Sequence, residues 1–167
     1  MKTTRVLHLI RHAKSDWKQA DMSDHDRPLN KRGNRDAPLA AERFIKSHGV
    51  PDCWMSSTAQ RAITTAGYFS KEAKMDVDKI RFSQRLYLPS YQTLITAINS
   101  IDNKHQSVVI FGHNPGHSLL ASILTGQDFE MPTCSIVSIE FELDSWELVS
   151  ADTGVLKGFD FPKKHSK

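Results

Sequence analysis

Cysteines and long hydrophobic runs are scarce in this chain, and both shortages exclude classes of protein. The two cysteines, Cys53 and Cys134, are far apart and fit no CxxC spacing, which argues against a disulfide scaffold and against a cysteine metal site. The apolar run near the start is too short for a membrane span and meets charged residues too soon for a signal peptide. We therefore expect two buried, reduced thiols and a cytoplasmic protein.

An excess of one charge is also missing. The chain has 22 basic and 19 acidic residues among 167, a net charge of +3, and 39% of its residues are hydrophobic. Basic residues cluster only at the very end, so we expect neither nucleic acid nor a membrane as a partner. The length suits one domain, predicted at residues 1–160, followed by a basic tail at residues 161–167.

One stretch near the start carries the strongest functional signal. The apolar run at residues 6–10 predicts a buried strand, and Arg11 and His12 follow directly at its carboxyl end. Open α/β sheets bind their ligands at that edge. An arginine can hold phosphate oxygens while a neutral imidazole nitrogen attacks phosphorus, so this pair predicts a phosphoryl acceptor.

Apolar spacing predicts alternating strands and helices over most of the remaining chain. The predicted strands cover residues 50–55, 80–82 and 107–111. The predicted helices cover residues 31–48, 59–71, 90–101 and 118–124, and Pro38 implies that the first becomes regular near Asp36 or is kinked there. A hairpin is expected last, with strands at residues 134–143 and 146–152 that turn at Asp144 and Ser145. This order predicts an α/β protein, a three-layer α/β/α sandwich with a mostly parallel sheet and an antiparallel edge.

Two further positions supply residues of the same chemistry. Arg61 falls in the first turn of the second predicted helix, and His113 follows the strong strand at residues 107–111. Because the carboxyl ends of parallel strands share one edge, Arg11, His12, Arg61 and His113 are expected to converge there. Two guanidinium groups and two histidines would form a phosphoryl site, and helix starts after Ser57 and Asn114 would add backbone donors.

These three segments resemble the histidine phosphatase superfamily. Residues 9–13, Leu-Ile-Arg-His-Ala, are similar to its Arg-His-Gly signature with alanine in place of glycine. Residues 56–65 resemble its second block and residues 112–115 its third. The short chain, with residues 26–30 and 132–134, is similar to the small SixA-like phosphohistidine phosphatase branch, which implies a phosphoglycerate mutase-like fold.

The resemblance implies a role for each residue of the pocket. It assigns Arg11, His12, Arg61 and His113 to catalysis, with His12 phosphorylated during turnover, and it adds Arg27 as a weaker binding residue. Ser15 and Asn114 are further candidates for substrate binding. Larger family members bring a glutamate as general acid in the region that matches residues 83–88, where this chain has Gln84 and Arg85. Asp16, in the long loop after the first strand, is the candidate substitute.

Two classes of function remain open from the sequence. The first is a phosphatase, acting on phosphohistidine in a protein or on a small phosphorylated metabolite; the second is a catalytically weak adaptor that binds phosphorylated groups. The missing acid favours a leaving group that departs easily, as phosphohistidine does. No HExxH or cysteine-histidine cluster occurs, so we expect no metal and no cofactor. The sequence does not determine the oligomeric state, although a monomer is expected.

Overall fold

The computed structural model describes residues 2–166, so Met1 and Lys167, the last residue of the predicted tail, lie outside the description. Six strands and four α-helices alternate along the chain. The strands are β1 (Thr4–Arg11), β2 (Cys53–Ser57), β3 (Arg81–Ser83), β4 (Ser107–Gly112), β5 (Ile136–Glu142) and β6 (Val155–Asp160). The helices are α1 (Lys31–His48), α2 (Gln60–Glu72), α3 (Tyr91–Asn99) and α4 (Gly116–Thr125).

All six strands form one sheet in the order β3-β2-β4-β1-β5-β6. The first four run parallel to one another, whereas β5 pairs antiparallel with both β1 and β6. The predicted α/β class, with a mostly parallel sheet and an antiparallel edge, is confirmed. β4 and β1 lie at the centre, so Gly112 and Arg11 end side by side.

Side chains that alternate along β1 build the two cores of the molecule. Leu7 and Leu9 point into the core beneath α3 and α4, whereas Ile10 belongs to the core beneath α1 and α2. His8 shares the second face, where it is buried, bonds Ser138 and meets the edge of the Phe44 ring. This central strand is therefore clamped on both faces, which fixes the position of the residues that follow it.

The start of α1 differs from the prediction. The helix is regular from Lys31, not from Asp36, because Asn30 caps it by accepting a 2.9 Å hydrogen bond from the Gly33 amide at Oδ1. Pro38 lies inside the helix. The cap and the buried alanines and Phe44 on the inner face outweigh the amide that proline lacks.

The predicted hairpin is wrong in its second strand. Residues 146–152 were expected to pair with β5, but Trp146–Leu148 is a 3-10 turn that Ser145 caps, and the strand beside β5 is β6. Trp146 is fully buried, and its indole N–H donates to the carbonyl of His105 at 2.7 Å. Burial of this large side chain against α3 decides the conformation, whereas the exposed edge strand β6 carries only a weak apolar pattern.

The bounds of β2 and the start of α2 also differ slightly from the predicted ones. The second strand was expected at residues 50–55, but Val50 is exposed and Ser56 and Ser57 are part of β2. α2 therefore begins after Ala59, with no side-chain cap. Asn114 still accepts a hydrogen bond near the start of α4, from the Ser118 amide, although Pro115 holds the N-cap position.

The chain end is partly docked. Pro162–His165 forms a 3-10 turn, and Lys164 Nζ donates to the carbonyl of Phe159 at 3.0 Å while His165 pairs with Asp160. These contacts hold the tail against the end of β6. None of the helices within residues 2–166 is long and apolar enough to cross a membrane.

Candidate functional site

A cavity of about 190 Å³ opens where β1 and β4 end at the centre of the sheet. It is lined by ten residues from five segments: Arg11, His12, Lys14, Ser15, Trp17, Arg61, Leu88, His113, Asn114 and Thr133. Arginine, lysine and histidine make up half of this lining, so the cavity has the chemistry of a site for a small anion.

His12 is fixed in one tautomer. Its Nδ1 lies 2.7 Å from the carbonyl oxygen of Ala13, so Nδ1 carries the hydrogen and Nε2 keeps its lone pair. Burial lowers the pKa of His12 to about 3, and the positive charges of Arg61 and Arg11 add to the shift. At neutral pH the ring is therefore uncharged, and Nε2 is available as a nucleophile.

Arg61 enters the site from the first turn of α2 and is itself buried. Its Nε lies 3.4 Å from His12 Nε2. The outer edge of the guanidinium is held by Asp24, to the backbone oxygen at 2.6 Å and to the carboxylate at 2.9 Å. Arg61 therefore links His12 to the 3-10 turn Asp24–Asp26 in the loop after β1.

The carboxyl of Asp24 is ionised. Burial would raise its pKa, but hydrogen bonds from Tyr87 and Arg61 and the positive charge of Arg61 outweigh that effect and hold the pKa below its ordinary value. The Tyr87 hydroxyl donates to the same carboxylate oxygen as Arg61. Asp24 thus orients Arg61 as an anion and has no proton to give to a leaving group.

His113 faces His12 across the cavity, with the ring centres 5.2 Å apart. Burial, then the neighbouring His12 and Arg61, lower the pKa of His113 to about 2, so this ring is also neutral. Its Nε2 lies 2.7 Å from Ser57 Oγ, which already accepts a hydrogen bond from the Ala59 amide. Ser57 can therefore donate to Nε2, which leaves the hydrogen on Nδ1, a buried atom with no partner among residues 2–166.

Arg11 and Asn114 share one anchor. Arg11 Nη1 and Asn114 Nδ2 both donate to the carbonyl of Met131, at 2.8 and 2.9 Å. Arg11 Nε is buried and has no acceptor in the described part of the chain. The segment after Met131 closes beneath the site, since the Cys134 amide lies within hydrogen-bond distance of the carbonyls of both Arg11 and His12.

The structure brings together some of the predicted site residues and separates others. Arg11, His12, Ser15, Arg61, His113 and Asn114 all line the cavity. Arg27 is not part of the lining; it is buried behind Trp17, with its guanidinium carbon 4.0 Å from the centre of the indole ring. Asp16 also lies outside the lining, and its carboxylate accepts a hydrogen bond from the Lys18 amide.

Asp24 and Tyr87 contribute to the site but were not predicted from the sequence. Asp24 is one of four aspartates at positions 16–26, and no local pattern distinguishes it. Tyr87 lies in the segment of residues 83–88, which matches the region of the general acid in larger family members. Its hydroxyl donates a hydrogen bond to the carboxylate of Asp24. Within residues 2–166, no group of three or more His, Cys, Asp or Glu side chains is arranged to hold a metal ion.

Comparisons with known proteins agree with this fold. Residues 7–83 match the model of the histidine phosphatase superfamily (branch 1). An uncharacterized protein of Mycobacterium tuberculosis is 31% identical over 165 residues, which cover 92% of this chain and all of that protein. The structure of a SixA protein from Agrobacterium tumefaciens superposes with a TM-score of 0.81 at 25% identity, over 95% of this chain and 98% of that one. A protein histidine phosphatase SixA complexed with tungstate gives a TM-score of 0.82 at 19% identity, over 96% and 99% of the two chains.

Proposed function

We propose that this chain, which belongs to the histidine phosphatase superfamily, is a phosphatase that removes the phosphoryl group from phosphohistidine in proteins. One observation carries the proposal. No Asp or Glu of residues 2–166 lines the cavity, and Asp24, which holds Arg61, is ionised. A leaving group must therefore depart without a carboxylic acid to protonate it.

Phosphohistidine satisfies this condition better than a phosphate ester. In the first step His12 Nε2 bonds to phosphorus while the bond between phosphorus and the substrate imidazole breaks. The phosphorylated substrate ring carries a proton on its other nitrogen, so it departs as neutral imidazole, whose conjugate acid has an ordinary pKa of about 6.5. It needs no proton from the enzyme, whereas an alkoxide needs a positioned acid. In the second step water attacks the phosphorus on His12, its protons pass to phosphate oxygens and solvent, and Nε2 is regenerated.

The other groups of the cavity stabilise charge on the phosphoryl oxygens. Arg11 Nε is a buried donor without an acceptor among residues 2–166. Arg61 Nε donates to His12 Nε2 in the structure and becomes available to a phosphoryl oxygen once phosphorus takes that lone pair, and His113 Nδ1–H adds a third donor. Such fixed donors in a buried site stabilise the transition state without reorganisation. We infer that Ser15 and Asn114, which line the cavity, support substrate binding. Asp16 and Arg27 lie outside the lining, so Asp16 does not serve as the acid and Arg27 does not contact the phosphoryl group.

The first experiment compares substrates and tests the nucleophile. We expect kcat/KM to be at least tenfold higher for a phosphohistidine peptide than for glycerol phosphate or sugar phosphates, with aryl phosphates between them. His12→Asn should abolish turnover, and the wild type should trap acid-labile phosphate on His12. A kcat/KM at least tenfold higher for an alkyl phosphate than for the phosphohistidine peptide would indicate a metabolite phosphatase. Tight phosphate binding without turnover would indicate an adaptor.

We also propose that turnover needs no metal ion, because the two guanidinium groups already supply positive charge to the phosphoryl oxygens. Activity should remain unchanged after dialysis against a chelator. Loss of activity that zinc or magnesium restores would contradict this proposal.

We also propose that the protein works in a reducing, cytoplasm-like compartment. Both Cys53 and Cys134 are buried thiols without a disulfide in the described chain, and disulfides are rare in such compartments.

A further inference from the structure

The cavity is too small to hold more than the reacting group. At about 190 Å³ it falls below the range of about 300–1,000 Å³ typical of small-molecule sites. If a phosphoryl group lies against His12, the body of the substrate must rest on the surface around the mouth. The residues at that mouth therefore determine which substrates bind well.

Large apolar side chains lie at the mouth and in a neighbouring depression. Trp17 and Leu88 line the cavity, yet their side chains remain 60% and 52% exposed. A second, shallow depression of about 420 Å³ adjoins the first at Asn114, and Pro115, Leu119 and Phe129 line it. Leu119 is 48% exposed. We call Trp17, Leu88, Pro115, Leu119 and Phe129 the apolar rim.

Trp17 is held in place despite its exposure. The guanidinium of Arg27 stacks 4.0 Å from the indole ring centre, and Arg27 is itself buried, with Nη1 within 3.3 and 3.4 Å of the carbonyls of Gln19 and Asp16. A cation stacked on an indole ring contributes about 0.5–2 kcal/mol. The indole is therefore a fixed surface, and its ordering costs little when a substrate covers it.

Leu88 is held outward by its backbone. Its φ is +47°, in the left-handed region that leucine rarely adopts. Such a conformation costs of order 1–3 kcal/mol and persists only where the surrounding structure holds it. The backbone is therefore strained at Leu88, the position where an exposed leucine lies beside the cavity.

We infer that the apolar rim binds the polypeptide on either side of the phosphorylated histidine, and that it selects apolar side chains there. This inference rests on the proposed function. A small polar phosphorylated metabolite has no apolar surface to cover the rim, whereas a polypeptide has one. Glu130, which lines the shallow depression, disfavours acidic residues at that position in the substrate. Exposed apolar surface of this kind typically marks a protein interaction site.

The test uses two synthetic peptides of equal charge, in which phosphohistidine is flanked either by leucines or by serines, together with phosphoramidate as a small substrate. We expect the wild type to prefer the leucine-flanked peptide at least tenfold in kcat/KM, mainly through KM. Leu88→Asn and Leu119→Asn should each reduce this preference to threefold or less. Asparagine tolerates a positive φ, so Leu88→Asn removes the apolar group without adding strain.

Leu148→Asn is the matched control, because Leu148 is 53% exposed and lines neither depression. It should keep the full preference for leucine-flanked peptide. Equal kcat/KM for the two peptides in the wild type, or a preference that survives in both rim variants, would overturn the inference. That result differs from failure of the proposed function, in which neither peptide nor phosphoramidate is hydrolysed.

Discussion

At the scale of single residues, the environment of Arg61 determines what the site can do. Its Nε donates to His12, the proposed nucleophile, while Asp24 occupies the opposite edge of the guanidinium. An arginine tethered on one edge points its remaining donors in a fixed direction, which lowers the cost of gripping a phosphoryl group. Asp24 is therefore a positioning residue that acts through Arg61.

Asp24→Asn should lower kcat/KM for a phosphohistidine peptide about tenfold, or about 1.4 kcal/mol. Hydrogen bonds to charged groups contribute about 1.5–3 kcal/mol, but the Asp24 side chain is 38% exposed, so we expect less than the full value. Steady-state kinetics measure the change. Asp26→Asn, in the same 3-10 turn but exposed, is the matched control and should have little effect.

A double-mutant cycle separates positioning from general damage. If Asp24 acts through Arg61, Asp24→Asn should cause less than a twofold further loss in an Arg61→Lys background. Additive losses in the double variant would mean that Asp24 contributes by another route. Thermal unfolding of each variant reports whether the turn at Asp24–Asp26 remains intact.

At the scale of elements, the start of α1 packs directly against the backbone that follows His12. The Asn30 amide donates to the carbonyl of Lys14 at 2.9 Å, and Gly33 lies against that same backbone. A Cβ on Gly33 would overlap the carbonyl oxygen of Lys14. Because Ala13, beside Lys14, accepts the hydrogen bond that fixes the tautomer of His12, the first turn of α1 supports catalysis indirectly.

Gly33→Ala should destabilise the protein by about 1–3 kcal/mol, the usual cost of overpacking, and should also reduce kcat. Chemical denaturation and steady-state kinetics measure the two effects. Gly67→Ala, in α2, is the matched control, since nothing lies within 4 Å of the added Cβ. That change should be neutral or stabilise by up to about 1 kcal/mol. A Gly33→Ala protein as stable and active as the wild type would refute the packing argument.

At the scale of the whole molecule, buried neutral histidines link stability to pH. Burial is the main cause that lowers the pKa of each: to about 3 in His8 and His12, about 2 in His113 and about 4 in His117. In the unfolded chain these rings have pKa values near 6.5. Below about pH 6.5 the unfolded state therefore binds more protons than the folded state, so the free energy of unfolding falls as pH falls.

Between pH 7 and pH 5.5 each of these histidines should remove about 1 kcal/mol of stability. His8→Gln provides the test, because glutamine can keep the hydrogen bond to Ser138 but does not titrate. Urea denaturation of the variant at the two pH values should give a decrease in unfolding free energy about 1 kcal/mol smaller than that of the wild type. Identical decreases would show that His8 is not neutral in the folded protein.

Much of the fold and of the candidate site could be predicted because the relevant signals are local. Apolar periodicity located the central strands and the four helices to within a few residues, and the polar pairs after β1 and β4 marked one edge of the sheet. The second hairpin strand could not be found this way. β6 is a half-exposed edge strand, whereas residues 146–148 carry a tryptophan whose burial depends on contacts with distant residues.

The sequence by itself therefore predicted the family and the α/β class, because both are carried by short motifs next to strand or helix ends. It also singled out Arg11, His12, Arg61 and His113, which the structure brings together around one cavity. The tertiary structure alone decided which aspartate meets Arg61, where Arg27 stacks, and that Trp17 and Leu88 stand at the mouth of the cavity. Four aspartates share the loop after β1 and look alike in sequence. Only the packing of that loop against α2 brings Asp24 to the buried guanidinium of Arg61. Charge pairing depends on distances in the folded chain, and no local sequence pattern encodes those distances.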